Sequence, residues 1–243
     1  MLRAQTTITP FTLKIEVTSF QHDPRGEPHR RQTIALRSDG SRSTTETILG
    51  KIGLEAGETK RTIGFIDGRG VTYFLSLGVK STMRPLGQAA VEGLKTRLLN
   101  PPENCLGPGF TLLGNDTLEG QRVAIVTHTS DDLGWKLTNW EAPQLACQRL
   151  SYLSYDKQPD GAFKLQIESK AVKLELGEPD PALFEELPDY REMKPSDVQR
   201  ILFEKYHITL SKELQESAER IDQAYFGTLR PGSSDALPTP KGH

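Results

Sequence analysis

The chain has 243 residues, with 30 Lys and Arg against 32 Asp and Glu and a formal net charge of −2. That balance offers no basic stripe for nucleic acid and no acidic block that would act as a solvating tail. Apolar residues make up 35%, no run approaches the ~18 residues of a membrane helix, and the length suits one large domain or two small ones.

In chain order, the start MLRAQTTITPF sets Ala4-Gln5 before a polar run, in the manner of a cleaved signal sequence. An exported protein, periplasmic or extracellular, is the expectation; an ordinary cytosolic N-terminus is the alternative. FTLKIEVTSF then alternates strictly, with Phe11, Leu13, Ile15 and Val17 on one face and Thr12, Lys14, Glu16 and Thr18 on the other. After the polar loop QHDPRGEPHR, RQTIALRS and RSTTETIL flank Asp39-Gly40, which reads as a two-residue hairpin turn. KRTIGFI and VTYFLSL flank Asp67-Gly68-Arg69-Gly70, a second hairpin. Short turns between successive strands imply an antiparallel meander, because parallel strands need long crossovers.

The period then changes. RPLGQAAVEGLKTRLLNPPE spaces Leu86, Ala90, Leu94 and Leu98 four apart, behind Pro85 and ahead of Asn100-Pro101-Pro102, and predicts one mid-chain helix. Strands resume in GFTLLGNDTLEGQRVAIVTHTS, with Val123, Ile125 and Thr127 sharing a face, and in the tryptophan-bearing GWKLTNWEAPQLACQRLSYLSYD. A third Asp-Gly pair, Asp160-Gly161, precedes AFKLQIESKAVKLEL. The total is about ten strands with no internal repeat, an α+β class dominated by one antiparallel sheet. Leu176 to Tyr190, LGEPDPALFEELPDY, stops the last strand at a Gly-Glu-Pro-Asp-Pro corner and sets Leu183 and Phe184 between prolines. Two helices are expected after it. One begins at Pro195-Ser196-Asp197 with Val198, Ile201, Leu202 and Phe203 inward; the other begins at a Ser211 cap with Leu214, Ala218, Ile221 and Tyr225 inward. The Pro-, Gly- and Ser-rich end is expected to be disordered.

Few residues suggest chemistry. Cys105 and Cys147 are either a disulfide closing a long loop or two separate buried thiols, and no Cys/His spacing suits zinc. His22 and His29, with Asp23 and Glu27, sit in an interrupted loop that reads as solvated rather than metal-binding. His128 near Asp131 and Asp132 resembles half of a catalytic triad, but no nucleophile motif accompanies it. The glycines of GPGFTLLG lack the lysine and following helix of a phosphate loop, and neither His207 nor His243 suggests a role. No cofactor, metal or catalytic residue is therefore expected. Trp135, Trp140, Tyr152 and Tyr155 cluster in the strand-rich middle, either lining a space for an acyl chain or packing a core.

The late meander strand followed by D-P-A-L-F-E-E-L-P-D-Y resembles the closing part of the LolA/LolB/RseB-like lipoprotein-binding superfamily. The pattern Trp140, Ala142, Pro143, Cys147, then Leu176 to Pro181, Phe184, Pro188 and Tyr190 is similar to that of uncharacterised exported bacterial proteins of that fold. The resemblance spans roughly residues 11 to 197. It implies a curved antiparallel sheet forming an open half-barrel, here over 1–194; the residues themselves, departing from that family, add C-terminal helices over 195–226 packed on or beside it and a tail over 227–243. The resemblance puts no helices there. It further implies a non-enzymatic exported protein that holds a lipid, a lipoprotein acyl chain or an apolar peptide. Leu13, Ile15, Val17, Trp135 and Trp140 would line the ligand space, and Leu183 and Phe184 would plug the barrel end. The alternative is an envelope interaction or regulatory protein with a filled core that binds a protein partner.

Overall fold

In the computed structural model, residues 7–20, 26–49, 58–83 and 87–205 are described. Their strands are β1 (Phe11–Ser19), β2 (Pro28–Leu36), β3 (Arg42–Ile48), β4 (Thr59–Gly64), β5 (Gly70–Phe74), β6 (Val79–Met83), β7 (Thr111–Leu118), β8 (Gln121–Ser130), β9 (Trp135–Ala142), β10 (Gln148–Lys157), β11 (Phe163–Leu176) and β12 (Arg191–Glu192). Two helices are described, α1 (Gln88–Leu99) and α2 (Pro195–Lys205). The class is α+β, but the strands number twelve rather than about ten. The additional ones are short. A 3-10 turn at Leu75–Leu77, closed by Gly78 at φ 61°, splits the VTYFLSL run and starts β6. The two-residue β12 pairs with β6 in parallel, the exception in an otherwise antiparallel sheet.

The order β12-β6-β5-β4-β3-β2-β1-β11-β10-β9-β8-β7 has a simple cause. The first meander spreads outward from β1, and the second works inward from β7 to β11. The two halves join where β1 lies against β11. The connection carrying α1 therefore takes the chain from one end of the sheet to the other. Three of the turns have one geometry. At Arg37–Ser41, Phe65–Arg69 and Gln158–Ala162 the first N–H bonds the fifth carbonyl, the fourth N–H bonds the first carbonyl, and an Asp carboxylate accepts from the fifth N–H. Gly40, Gly68 and Gly161 all take φ 84°. These are three-residue loops, a turn followed by one left-handed glycine, and not the two-residue type read at Asp39-Gly40.

Apolar packing falls on both faces. Phe11, Leu13, Ile15 and Val17 are buried with Ile34, Leu36, Leu145 and Leu150 in one cluster. A second cluster gathers Ala35, Ile63, Val71, Tyr73 and Phe184. Cross-strand partners share a face. Leu13 stands opposite Ile34, whereas Ala35 stands opposite Thr12. Ala35, Ser43, Ile63 and Val71 continue the Thr12 row across successive pairs. The second cluster therefore lies on the face away from Leu13. Strand β8 also departs from simple alternation: Val123, Ala124 and Val126 are all fully buried.

The sheet is curled. Thr44 on β3 and Glu141 on β9 stand five strands apart, about 24 Å on a flat sheet at ~4.8 Å per strand. Both line one cavity together with Ile15 of β1. The face carrying Leu13 and Ile15 is thus the concave one. Helix α1 meets its cluster only through Leu98 and Leu99. The expected stripe is not a buried one: Ala90 is exposed, Leu94 is half-buried, and Leu86 lies outside the described residues. Gly87 caps the helix without a side-chain bond.

The chain divides into two compact units, Met1–Met193 and Lys194–His243. In the second, α2 begins at the expected Pro195 and carries a surface ion-pair set, Arg200 with Asp197 at 3.5 Å and Glu204 at 3.4 Å. Val198 of its expected inward residues is buried. The helix expected from Ser211, with Leu214, Ala218, Ile221 and Tyr225, and the tail from 227 lie outside the described residues. Among the described residues no helix is long and apolar enough to cross a membrane.

Candidate ligand-binding site

The concave face holds an open cavity of about 350 Å³, lined by Ile15, Gln32, Ile34, Arg42, Thr44, Glu141, Cys147, Gln148, Arg149, Tyr152 and Ser169. Its floor is the apolar pair Ile15 and Ile34, and most of its wall is polar. The meander explains the wall. The row that begins with Leu13 and Ile34 on β1 and β2 continues onto Thr44 of β3, and its neighbouring rows end in Gln32 with Glu46 and Leu36 with Arg42. Gly64 stands opposite Arg42, and a side chain added there would meet nothing within 4 Å, so the guanidinium has open space beside it.

The charges are unevenly satisfied. Glu46 accepts from Gln32 at 2.5 Å and pairs with Arg30 at 3.3 Å and Lys60 at 3.9 Å. Among the described residues no carboxylate pairs with Arg42; the residue is exposed to solvent at the open cavity, and the protein packed around it, with repulsion from Arg149, lowers its pKa from the ordinary guanidinium value. The Arg149 guanidinium lies over the Tyr152 ring at 4.4 Å. Across the β9–β10 pair from Arg149, Glu141 accepts from Asn139 at 2.9 Å. Burial raises the Glu141 pKa, outweighing the opposing pull of Asn139 and Arg149.

A disulfide forms one rim of the cavity. Cys105, in the connection after α1, is bonded to Cys147, with Cα atoms 5.4 Å apart. A 3-10 turn at Pro143–Leu145 leads into Ala146 at φ 55° and Cys147 at φ 58°, and Cys105 is at φ 52°. Left-handed backbone at these three non-glycine residues, two of them consecutive and the third bonded to Cys147 through the disulfide, costs about 1 kcal/mol or more each, so the corner is held by its surroundings. The two sulfurs and a Glu141 oxygen lie within 4.8 Å of one another, but bonded sulfurs supply no thiolate, so the group does not read as a metal site.

Of the five residues expected to line a ligand space, Ile15 lines this cavity. Leu13 and Val17 are filled core, at 0% and 1% exposure, and Trp140 packs against their cluster. Trp135 stacks on His128 at 5.0 Å between ring centroids. His128 Nδ1 donates to the Gly109 carbonyl at 2.6 Å, and Phe110 covers its other side at 5.2 Å, so the ring is a packing element of the β8 end. Leu183 and Phe184 sit on the convex face, over β3 to β5, rather than at an end of the concave interior. Arg61 holds that segment by donating to the carbonyls of Ala182 and Glu185, and the Tyr73 hydroxyl accepts from the Leu187 N–H at 3.1 Å. Arg42, Glu141 and Arg149 were not singled out in the sequence. The available signal was Arg42, Thr44 and Glu46 on one row of a strand whose other row is Ser, Thr and Thr, which reads as a wet face until the curl is known.

No family model matches the chain, and no curated protein does. Solved structures are similar in fold. In the complex of Pseudomonas aeruginosa MucA and MucB the match has a TM-score of 0.42 at 15% identity and covers 74% of this chain and 56% of that one. PNGF-II gives 0.45 at 11% identity, covering 80% of this chain and 33% of that one. A Vibrio parahaemolyticus domain assigned to outer membrane lipoprotein sorting gives 0.26 at 12% identity, covering 69% and 85%. Likenesses this loose leave any functional reading to rest on the residues of this chain.

Proposed function

We propose that this chain is a non-enzymatic, exported binding protein that holds its ligand on the concave side of an open half-barrel. The observation that carries the reading is the cavity over Ile15 and Ile34, where strands up to five places apart converge on open space whose polar wall leaves a guanidinium unpaired. An interior that served only packing would fill such a space. The apolar floor and charged wall favour an amphiphile, a lipid or a lipoprotein acyl chain with its polar end, over a bare apolar peptide. Native mass spectrometry after detergent-free purification tests this. A bound small molecule is expected, and a Thr44→Trp variant that fills the cavity should lose it. A clean mass in the wild-type protein after exposure to total bacterial lipid would overturn the reading.

A second reading draws on a different observation. Leu13 and Val17 leave no room in the apolar centre, and β7 ends the sheet with Leu113 59% exposed. An envelope interaction protein with a filled core would use that free strand edge to bind a partner chain. Loss of partner capture on Leu113→Lys, with ligand binding absent, is the result that would favour it.

A further inference from the structure

Two guanidinium groups share the concave cavity with one carboxylate, Glu141. Among the described residues, neither Arg42 nor Arg149 donates a side-chain hydrogen bond or enters an ion pair, and the hydroxyls of Thr44 and Tyr152 are likewise unengaged. Glu46, on the same face of β3 as Arg42, is already shared between Arg30, Lys60 and Gln32. Glu141 offsets one of these two charges, and both arginines are solvent-exposed at the open cavity, so the lining keeps a net positive charge that an anion would offset. From this juxtaposition we infer that Arg42 and Arg149 form a binding site for a phosphate group, with Thr44 and Tyr152 as neutral donors.

The donor set selects phosphate over carboxylate. A guanidinium is a rigid planar fork that engages two oxygens at once. Two forks and two hydroxyls exceed what the two oxygens of a carboxylate can accept, and they match the three or four oxygens of a phosphate. Tyr152 braces Arg149 from one side by ring contact, and the space opposite Gly64 leaves Arg42 room to turn toward the anion. Ile15 and Ile34 line the same cavity and would take the carbon portion of a phosphate-bearing ligand. The inference rests on the binding-protein reading above and names the chemical group that reading leaves open.

Calorimetric titration of the full chain with inorganic phosphate, with acetate, and with phosphatidylcholine vesicles with and without phosphatidylglycerol tests the site. Phosphate should bind at least about 10-fold more tightly than acetate. Arg42→Gln and Arg149→Gln should each weaken it by about 10- to 100-fold. Arg42→Lys, which keeps charge and stem and guards against a folding defect, should weaken it less than Arg42→Gln. Stronger binding to phosphatidylglycerol vesicles than to free phosphate supports a lipid headgroup as the source, and binding to free phosphate alone supports a soluble one. No heat with either phosphate or phosphatidylglycerol vesicles overturns the inference, as do folded Gln variants that bind phosphate as the wild type does. If phosphate fails while a neutral lipid co-purifies, the phosphate site falls and the binding-protein reading stands; if both fail, both fall.

Discussion

Phe184 tests whether the proline-bounded segment is structural. Its side chain is 9% exposed among Ala35, Ile63, Val71 and Tyr73, and the Arg37 guanidinium lies 5.4 Å from its ring centre. Truncating a buried Phe to Ala removes its transfer free energy and leaves a cavity, about 3–5 kcal/mol together. Two features place this site at the lower end. One edge of the ring meets solvent, and Arg37, 42% exposed, contributes little beyond contact. The segment stays tethered by Arg61 and by the Tyr73 hydroxyl, which limits further unravelling. Phe184→Ala should therefore lower stability by about 3 kcal/mol, read as a shift in the urea midpoint with an unchanged slope. Leu176→Ala, at a residue 57% exposed, is the control and should stay within about 0.5 kcal/mol. A Phe184→Ala loss no larger than the control's would refute the claim that this segment closes a second core.

Reducing the disulfide, or changing Cys105 and Cys147 to Ser together, reopens a loop of 42 residues' separation worth about 4 kcal/mol in chain entropy; release of left-handed backbone at both positions brings the expected net loss to about 2–4 kcal/mol by urea unfolding. Gly40→Ala and Gly161→Ala share φ 84°, but a Cβ at 40 would stand 2.7 Å from Ile66 Cδ1 while one at 161 meets nothing, so Gly40→Ala should melt lower. Glu141 has a raised pKa, so its ionisation opposes folding: stability lost as pH rises through its folded value returns as pH falls. Glu141→Gln should be more stable than wild type at pH 7, and thermal melts of the two should converge below the ordinary Glu range.

The local geometry was readable wherever a residue type forces it. Asp-Gly pairs marked three hairpins, because only glycine takes φ 84° freely and the Asp carboxylate reaches the fifth N–H. Phe11 to Val17 announced a dry face by alternation alone. What stayed hidden depends on strands far apart in the chain. The Arg42 row reads as a solvated face, and only the curl shows that it lines one cavity with Arg149. Phe184 could be recognised as buried, but not on which face, because that depends on where β11 delivers the chain after Gly177 at φ 114°. Strands β6 and β12 escaped because five and two residues carry too little periodicity to register.

The two cores together explain why a charged site can exist here at all. A strand buried on one face needs apolar residues on alternate positions, and a strand with a functional concave face cannot supply them there. Strands β3 to β5 bury their convex positions instead, Ile63, Val71 and Tyr73, under Leu183, Phe184, Leu187 and Tyr190. That covering fixes register, since a slip by one residue would send Ile63 and Val71 to the concave side and Thr62 and Thr72 into the dry layer. The concave positions of the same strands are thereby freed from packing, and they hold Arg42, Thr44, Glu46, Thr62 and Thr72. Removing the convex cover should therefore disturb the concave site at a distance: Phe184→Ala, assayed below its unfolding transition, should weaken ligand binding although no atom of Phe184 lines the cavity. Unchanged affinity in a destabilised but folded Phe184→Ala protein would show that β1, β2 and β10 hold the site on their own.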